Sequence, residues 1–149
     1  MTRIFIDADA CPVKDEVYRV AGRHRLMTYV VSNSWMRIPA SPLIEQVIVD
    51  DGFDAADNWI ADNVTAGDIV ITSDIPLADR ALQKSAIVLG PTGKPFTQQS
   101  IGMALAMRSL NSHLRETGEI AGYNAAFSKK DRSRFLNELE NTLQKLRKK

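Results

Sequence analysis

The sequence predicts an α/β fold with a mostly parallel sheet of about five strands, flanked by helices. Short apolar runs alternate along the chain with segments whose apolar residues recur at helical spacing. The runs are continuous rather than interrupted by polar residues, which is typical of strands buried on both faces of a parallel sheet. The chain has 149 residues, a length that favours one domain. We therefore expect a single domain over 1–149, with an α/β core at 1–96 and a helical extension at 97–149.

The first strand and helix follow from the opening residues. The run at 4–6 is short, apolar and rich in β-forming residues, which indicates a buried strand. Pro12 suits the first turn of a helix, because the N–H that proline lacks has no partner there. Asp15 and Glu16 fall in the same turn and suit the positive end of the helix dipole. With apolar residues at helical spacing after them, they predict a helix over 13–24.

The next elements repeat this alternation. Four further apolar runs predict the remaining strands, at 27–31, 45–49, 68–72 and 86–89. Helical spacing predicts a helix at about 54–64 and a short one from Pro76 to 82. Pro39 and Pro42 indicate an irregular link between the second and third strands. We expect the residues from 90 to 95 to form a loop.

The end of the chain reads as helical. From 97 to about 116 the apolar residues lie on two sides, which is typical of a helix packed between neighbours. Its stripe of Met103, Met107 and Leu110 could close the core or form a homodimer equally well. Gly118 is a plausible stop, followed by a loop at 119–127. A last helix then begins at a capping-box pattern, and its apolar stripe is formed by Leu136, Leu139, Leu143 and Leu146.

The composition narrows the class of protein. Apolar residues make up 44% and charged residues 25% of the chain, as in ordinary soluble proteins. The single cysteine, Cys11, excludes an internal disulfide and favours a reducing compartment. No apolar run reaches the ~20 residues that a membrane helix needs, and no signal-peptide pattern is seen. We therefore expect a cytoplasmic protein without a membrane partner.

Charge is distributed unevenly along the sequence. Residues 1–80 contain seven Lys or Arg and thirteen Asp or Glu, a net charge of −6, while residues 81–149 contain twelve and five, a net charge of +7. An acidic half could hold cations and a basic half could hold phosphates. Solvated faces that differ by chance explain the same numbers, so the charge pattern alone fixes no site.

Acidic residues recur where the predicted strands end or on the helices that follow them. The members of this group are Asp7, Asp9, Asp50, Asp51, Asp54, Asp57, Asp74 and Asp79. In a parallel sheet the carboxyl ends of the strands share one edge, where ligands bind. Two carboxylates ~4 Å apart repel by about 4 kcal/mol at an effective dielectric near 20. Such a group must hold a cation, take up protons or be more dispersed, and oxygen ligands favour Mg²⁺ or Mn²⁺.

Several of these residues have structural interpretations. Asp54 is a natural N-cap with Asp57 three residues later, so capping explains that pair as well as metal binding does. Asp50 and Asp51 before Gly52 suit a turn.

Two other residue types invite chemical interpretations. Cys11 lies near a helix N-terminus, where a thiol pKa can fall, but we expect a small buried cysteine instead. Trp35 beside Arg37 could stack on a base, yet we expect it to pack under the proline-rich link.

Three motifs carry a resemblance to a known family. They are Asp7-Ala8-Asp9-Ala10-Cys11-Pro12-Val13-Lys14, then Asp50-x-x-x-Asp54-x-x-Asp57, and Thr72-Ser73-Asp74-Ile75-Pro76-Leu77-Ala78. Together they resemble the YaiI/YqxD family of bacterial proteins over nearly the whole chain, and that family is similar in architecture to PIN-type nucleases. The resemblance implies that Asp7 and Asp74 are the strand-end acids, that Asp54 or Asp57 is a third acid, and that Asp79 is a fourth. The Asp-x-Asp-x-Cys-Pro start and the helical end depart from the PIN pattern.

The resulting hypothesis is a metal-dependent phosphodiesterase that acts on RNA. Asp7 and Asp74 would be catalytic, and one or two Mg²⁺ or Mn²⁺ ions, about 3.5–4 Å apart if two, would be held by aspartates. The metal set is Asp7, Asp9, Asp57, Asp74 and Asp79. Substrate phosphates would be bound by Lys14, Asn33, Arg108, Lys129, Lys130 and Arg132.

Two alternatives stay open. The first is a nucleic-acid or protein binding module on a nuclease-like fold, without turnover. The second is a phosphatase of the haloacid-dehalogenase type, with Asp7 as the nucleophile of an Asp-x-Asp motif. The motif order argues against the phosphatase, because Asp50 and Asp51 precede the Thr72 strand.

Overall fold

A six-stranded sheet forms the centre of the computed structural model, which describes residues 2–8, 11–50, 55–102 and 128–147. The strands are β1 (Ile4–Asp7), β2 (Thr28–Ser32), β3 (Ile44–Ile48), β4 (Ile69–Ile71), β5 (Ile87–Leu89) and β6 (Pro95–Phe96). The helices are α1 (Lys14–His24), α2 (Ala55–Asn63), α3 (Ile75–Gln83) and α4 (Lys129–Arg147). The predicted α/β class, with a mostly parallel sheet between helices, is confirmed.

The first five strands are parallel, in the order β3-β2-β1-β4-β5, and β6 is antiparallel to β5. In this register Asp7 pairs with Val31 of β2, and Ile6 pairs with Ile71 of β4. The carboxyl ends of β1 to β5 therefore meet along one side of the sheet, which we name the carboxyl edge. The opposite side, where these strands begin, is the amino edge.

The strand count differs from the prediction. About five strands were expected, and the sixth is Pro95–Phe96, at the end of the segment expected as a loop. The turn before it is closed by the Gly90 amide, which donates to the Lys94 carbonyl, and the Gly93 amide, which donates to the Gly90 carbonyl. A two-residue run is too short to produce an alternating pattern, and a proline is tolerated because β6 is an edge strand.

Helices cover both faces of the sheet. Ile4 and Ile6 of β1 belong to the core packed under α1 and α4, whereas Phe5 belongs to the core under α2 and α3. Side chains alternate along a strand, so Asp7 lies on the same face as Phe5. Among the described side chains of α4, Phe135, Leu139, Thr142 and Leu143 are buried. The predicted leucine stripe is confirmed, because Leu136 and Leu146 are half-buried and pack against the same core, and Phe135 joins it.

The direction of α4 matters for the site. Near its start, Arg132 contacts Glu16 in the first turn of α1, and further along, Glu140 contacts His24 at the end of α1. The two helices therefore run side by side in the same direction. Because α1 begins at the carboxyl edge, the basic start of α4 lies at that edge too.

The start of α4 has the predicted capping box. Ser128 and Asp131 form a reciprocal capping box: the Ser128 amide donates to Asp131 Oδ2 at 3.0 Å, and the Asp131 amide donates to Ser128 Oγ at 3.2 Å. The Ser128 hydroxyl also donates to Asp131 Oδ2 at 3.1 Å, and the two hydrogen bonds that Ser128 donates lower the pKa of Asp131.

The helix predicted from 97 is seen at 98–102. Its stripe of Met103, Met107 and Leu110, Gly118 and the 119–127 loop lie outside the described residues, so dimerisation through that stripe stays a prediction. In the described part of the chain no helix is both long and apolar enough to cross a bilayer.

Candidate functional site

Thr72 connects the two acids that were expected to be catalytic. Asp7 ends the central strand β1 with 9% of its surface exposed, and its Oδ2 accepts a hydrogen bond from the Thr72 hydroxyl at 2.9 Å. The same Thr72 oxygen accepts the backbone N–H of Asp74 at 3.0 Å. One buried hydroxyl therefore fixes the end of β1 relative to Asp74, which lies three residues beyond β4.

Asp74 has a structural role of its own as the N-cap of α3. Its backbone is extended, and its Oδ1 accepts the Leu77 N–H at 2.8 Å. Such a cap contributes about 1 kcal/mol to stability. Among the contacts of the described residues, only Oδ1 of this carboxylate is engaged.

Two of the expected phosphate-binding cations hold the loop after β1. Lys14 Nζ donates to the Ala8 carbonyl at 3.0 Å and to the Cys11 carbonyl at 2.8 Å. Arg132 Nη1 donates to the Pro12 carbonyl at 2.8 Å. Both cations lie at the predicted edge, and both contribute to the structure of the loop.

Glu16 is a site residue that the sequence analysis missed. It is buried in the first turn of α1, and its Oε1 accepts a hydrogen bond from Arg132 Nη1 at 3.1 Å. Its Oε2 is also buried and has no hydrogen-bond partner among the described residues. An acid in the first turn of a helix is favoured by the helix dipole. The sequence therefore offers an explanation for Glu16 that does not require its burial. The missed signal is its spacing: Glu16 follows Val13 by three residues and precedes Val20 by four, on the apolar face.

The lone cysteine is a packing residue, as expected. Cys11 is 6% exposed and belongs to the core under α1 and α4. Burial raises the pKa of its thiol to about 11. The thiol is therefore neutral at physiological pH, and a thiolate nucleophile at this position is disfavoured.

The other predicted metal ligands are dispersed or undescribed. Asp57 is half-buried in the first turn of α2, and Asp79 lies on α3, where its Oδ2 accepts a hydrogen bond from Gln83 Nε2 at 3.1 Å. Asp9 lies outside the described residues, as do Asp51 and Asp54. Within residues 2–8, 11–50, 55–102 and 128–147, no three acidic, histidine or cysteine side chains are grouped for a metal ion. The metal set stays a prediction.

The remaining substrate-binding candidates are on the surface or undescribed. Lys129 and Lys130 are exposed at the start of α4, and Asn33 is exposed directly after β2. Arg108 lies outside the described residues. The exposed candidates are thus distributed around the carboxyl edge, with the two lysines on the α4 side and Asn33 on the β2 side.

Trp35 contradicts one expectation. It was expected to pack under the proline-rich link, but 72% of its surface is exposed. The side chains that pack inward from this link are its neighbours Met36 and Ile38. In an extended segment alternate side chains point to opposite sides, so the burial of 36 and 38 leaves Trp35 outside.

Comparison with known proteins agrees with the resemblance to the YaiI/YqxD family that the sequence motifs indicate. Residues 5–145 match the family model described as "Uncharacterized BCR, YaiI/YqxD family". A UPF0178 protein of Parvibaculum lavamentivorans is 60% identical over 147 residues, which cover 99% of this chain and 97% of the relative. A UPF0178 protein of Gluconobacter oxydans is 55% identical over 148 residues, covering 99% and 85%. No solved structure matches the chain. The motifs at the ends of β1 and β4 and the match over nearly the whole length together show that this chain belongs to the YaiI/YqxD family.

Proposed function

We propose that this protein is a phosphodiesterase that depends on Mg²⁺ or Mn²⁺ and cleaves single-stranded RNA. The observation that carries the proposal is the pair of acids, Asp7 and Asp74, held at one edge of the sheet through the Thr72 hydroxyl. The two residues come from neighbouring strands and are 67 positions apart in the sequence. Their motifs are also the ones that resemble PIN-type nucleases.

The donor set suits a hard divalent cation. Mg²⁺ is usually bound by one or two carboxylates and completes its shell with water and substrate phosphate, so Asp7 and Asp74 are sufficient protein ligands. Asp9, Asp57 and Asp79 are the further ligands we propose. When bound, the ion would supply an activated water near neutral pH and stabilise charge on the scissile phosphate.

The remaining residues position the acids and the substrate. Thr72 holds the buried Asp7 carboxylate in one orientation, which spares it reorganisation during the reaction. Lys129 and Lys130, exposed at the start of α4, are placed to bind backbone phosphates of a strand that crosses the carboxyl edge. Arg108 and Asn33 are proposed for the same task, whereas Lys14 and Arg132 act first by holding the loop after β1.

The test is cleavage of a labelled single-stranded RNA with Mg²⁺ or Mn²⁺ by the wild type and by Asp74→Asn. Asparagine is as good an N-cap as aspartate, so this variant keeps α3 capped while it removes the charge. We expect activity to fall at least ~10²-fold, which corresponds to about 2.7 kcal/mol of transition-state stabilisation. Asp62→Asn, exposed towards the end of α2, is the matched control and should retain activity. Equal activity of the wild type and Asp74→Asn would show that the proposal is wrong.

A second candidate is a binding module without turnover. Its support is the capping role of Asp74, because a carboxylate that caps a helix needs no metal to explain it. Binding that survives a chelator, weakens steeply with salt and yields no products would favour this candidate. Hydrolysis of small phosphate esters through an acyl-phosphate on Asp7 would instead support the phosphatase.

A further inference from the structure

The segment between β2 and β3 presents a tryptophan to solvent. Among the described residues two large hydrophobic side chains are exposed, Trp35 at 72% and Ile48 at 53%. Leaving a large apolar side chain in water forgoes about 2 kcal/mol or more of burial free energy. Both residues lie at the carboxyl edge, since Ile48 ends β3 and Trp35 follows the end of β2 by three residues.

Hydrogen bonds hold the backbone on both sides of the exposed Trp35. On one side of Trp35, the Ser32 hydroxyl donates to the Ser34 carbonyl at 2.7 Å. On the other side, the Gln46 side chain brackets Met36: the Met36 amide donates to Oε1 at 2.7 Å, and Nε2 donates to the Met36 carbonyl at 2.9 Å. Trp35 therefore lies between two anchored residues, so its backbone is already ordered before a partner binds, which lowers the entropy cost of binding.

The side of the link that carries Trp35 also carries a cation. Met36 and Ile38 pack against the core, while Trp35 and Arg37 are exposed. This alternation of burial indicates that Trp35 and Arg37 lie on the same, outward side of the link. An aromatic plane beside a guanidinium is the combination that binds a base by stacking and the adjacent phosphate by charge.

The position of Trp35 fits a strand that enters the proposed active site. Val31 pairs with Asp7, and Trp35 lies four residues beyond Val31. Extended chain geometry and the spacing of neighbouring strands put the Cα atoms of Trp35 and Asp7 at most about 19 Å apart. Binding sites for single strands commonly span 4–16 nucleotides, so one strand can reach both.

We propose that Trp35 is a stacking platform for one unpaired base of a single-stranded nucleic acid, and that Arg37 binds a neighbouring phosphate. This inference deepens the proposed function and rests on it, because the proposed active site is where the nucleic-acid strand bound at Trp35 would lead. A protein partner fits less well, because a stable protein interface buries ~800 Å² on each side. The exposed sequence neighbours of Trp35, namely Asn33, Ser34 and Arg37, are polar or charged.

The test uses the fluorescence of Trp35. The chain contains two tryptophans, and Trp59 packs against Phe5 and Tyr29 with ring centroids 5.9 Å from each. Trp59→Phe keeps an aromatic ring in that cluster and makes Trp35 the single tryptophan, whose fluorescence can be excited apart from that of the tyrosines. Titration of this variant with a 12-nucleotide oligouridine in a chelator should quench the fluorescence. An RNA duplex of equal length, which has no unpaired bases, should quench far less.

Variants at the platform complete the experiment. In otherwise wild-type protein, Trp35→Ala should weaken oligouridine binding about tenfold, whereas Trp35→Phe should retain most of the affinity. Quenching and tenfold weakening without cleavage in Mg²⁺ would support the platform and contradict the proposed nuclease. Metal-dependent cleavage that is equal in Trp35→Ala and wild type, with no quenching, would overturn the platform and leave the nuclease standing. Absence of quenching with a changed oligomeric state in Trp35→Ala would also overturn it, in favour of a protein interface.

Discussion

Among the described residues each edge of the sheet has one buried aspartate, Asp68 at the amino edge and Asp7 at the carboxyl edge, and different donors hold them. At the amino edge, Asp68 accepts hydrogen bonds from the Arg3 guanidinium at 2.8 Å, from the Arg3 amide at 3.0 Å, and from the Thr65 amide and hydroxyl, both at 2.9 Å. At the carboxyl edge, Asp7 accepts a hydrogen bond from a neutral hydroxyl, that of Thr72. The same hydroxyl is bonded to the backbone of a second acid, Asp74.

The difference separates a structural carboxylate from a candidate functional one. Burial alone would raise the pKa of Asp68, but the Arg3 and Thr65 hydrogen bonds outweigh burial and lower it. The negative charge of Asp68 is thus compensated by Arg3 and by the hydrogen bonds around it. At the carboxyl edge a neutral hydroxyl instead links the Asp7 carboxylate to the backbone amide of a second acid, Asp74. Local choices that disfavour stability concentrate at functional sites.

The largest expected effect comes from the same substitution at both edges. Both oxygens of Asp68 accept from N–H or O–H donors, so in Asp68→Asn the amide N–H₂ faces donors in either orientation. We expect the free energy of unfolding to fall by about 3 kcal/mol. In Asp7→Asn the amide oxygen can still accept the Thr72 hydrogen bond, so we expect the free energy of unfolding to fall by about 1 kcal/mol.

Urea denaturation of the two variants at pH 7 measures this contrast, with Asp62→Asn as an exposed control expected within about 0.5 kcal/mol of wild type. A loss in Asp7→Asn as large as that in Asp68→Asn would show that Asp7 is a structural carboxylate. The two edges would then be equivalent, and the candidate site would lose its main support.

The pH dependence of stability sharpens the same contrast. The pKa of Asp68 is lower in the folded protein than the value of about 3.9 expected in the unfolded chain. Its contribution is therefore complete above about pH 4 and is lost as the pH falls through the folded value. The difference in unfolding free energy between wild type and Asp68→Asn should be constant from pH 5 to 7 and narrow below pH 4. Parallel curves down to pH 2 would contradict this account.

Two glycines extend the comparison to the backbone. Gly67 at the amino edge and Gly93 at the carboxyl edge are both left-handed, with φ of +86° and +90°. A Cβ at Gly67 would meet nothing within 4 Å, whereas one at Gly93 would lie 2.9 Å from the Arg134 carbonyl oxygen and 3.1 Å from Phe135 Cα. Gly93 therefore lets the β5–β6 turn approach the start of α4.

Gly67→Ala should cost about 1 kcal/mol, the price of a left-handed alanine. Gly93→Ala should cost about 2 kcal/mol, because displacement of the α4 backbone is added to that strain. Thermal unfolding of the two variants measures the difference. Equal losses would mean that α4 yields easily at this contact.

The convergence of Asp7, Thr72 and Asp74 was predictable from the sequence. Once the strands are predicted to be parallel, their carboxyl ends must share an edge, whatever the details of packing. The strand β6 was not predictable in this way, since its two residues carry no periodic signal.

Glu16 and Trp35 required the structure. A glutamate at a helix start has a sufficient local explanation, so its burial depends on where α4 places Arg132, 116 residues later. The exposure of Trp35 depends on Gln46, a β3 side chain that fixes the link from outside it. In both cases the deciding contact is between elements that no local pattern connects.

The smallest effect tests the hydroxyl that joins the two acids. Thr72 is 3% exposed, and Thr72→Val keeps its shape while it leaves the Asp74 amide and the Asp7 carboxylate without this partner. Thr72→Ser keeps the hydroxyl and loses one methyl group. We expect Thr72→Val to lower the free energy of unfolding by about 1 kcal/mol more than Thr72→Ser, and to reduce RNA cleavage more. Because valine fills the same space, the difference between the variants isolates the hydrogen bonds from packing. If valine matches serine in both stability and cleavage, the hydroxyl does not hold Asp7 and Asp74 together, and their proximity is a consequence of strand register alone.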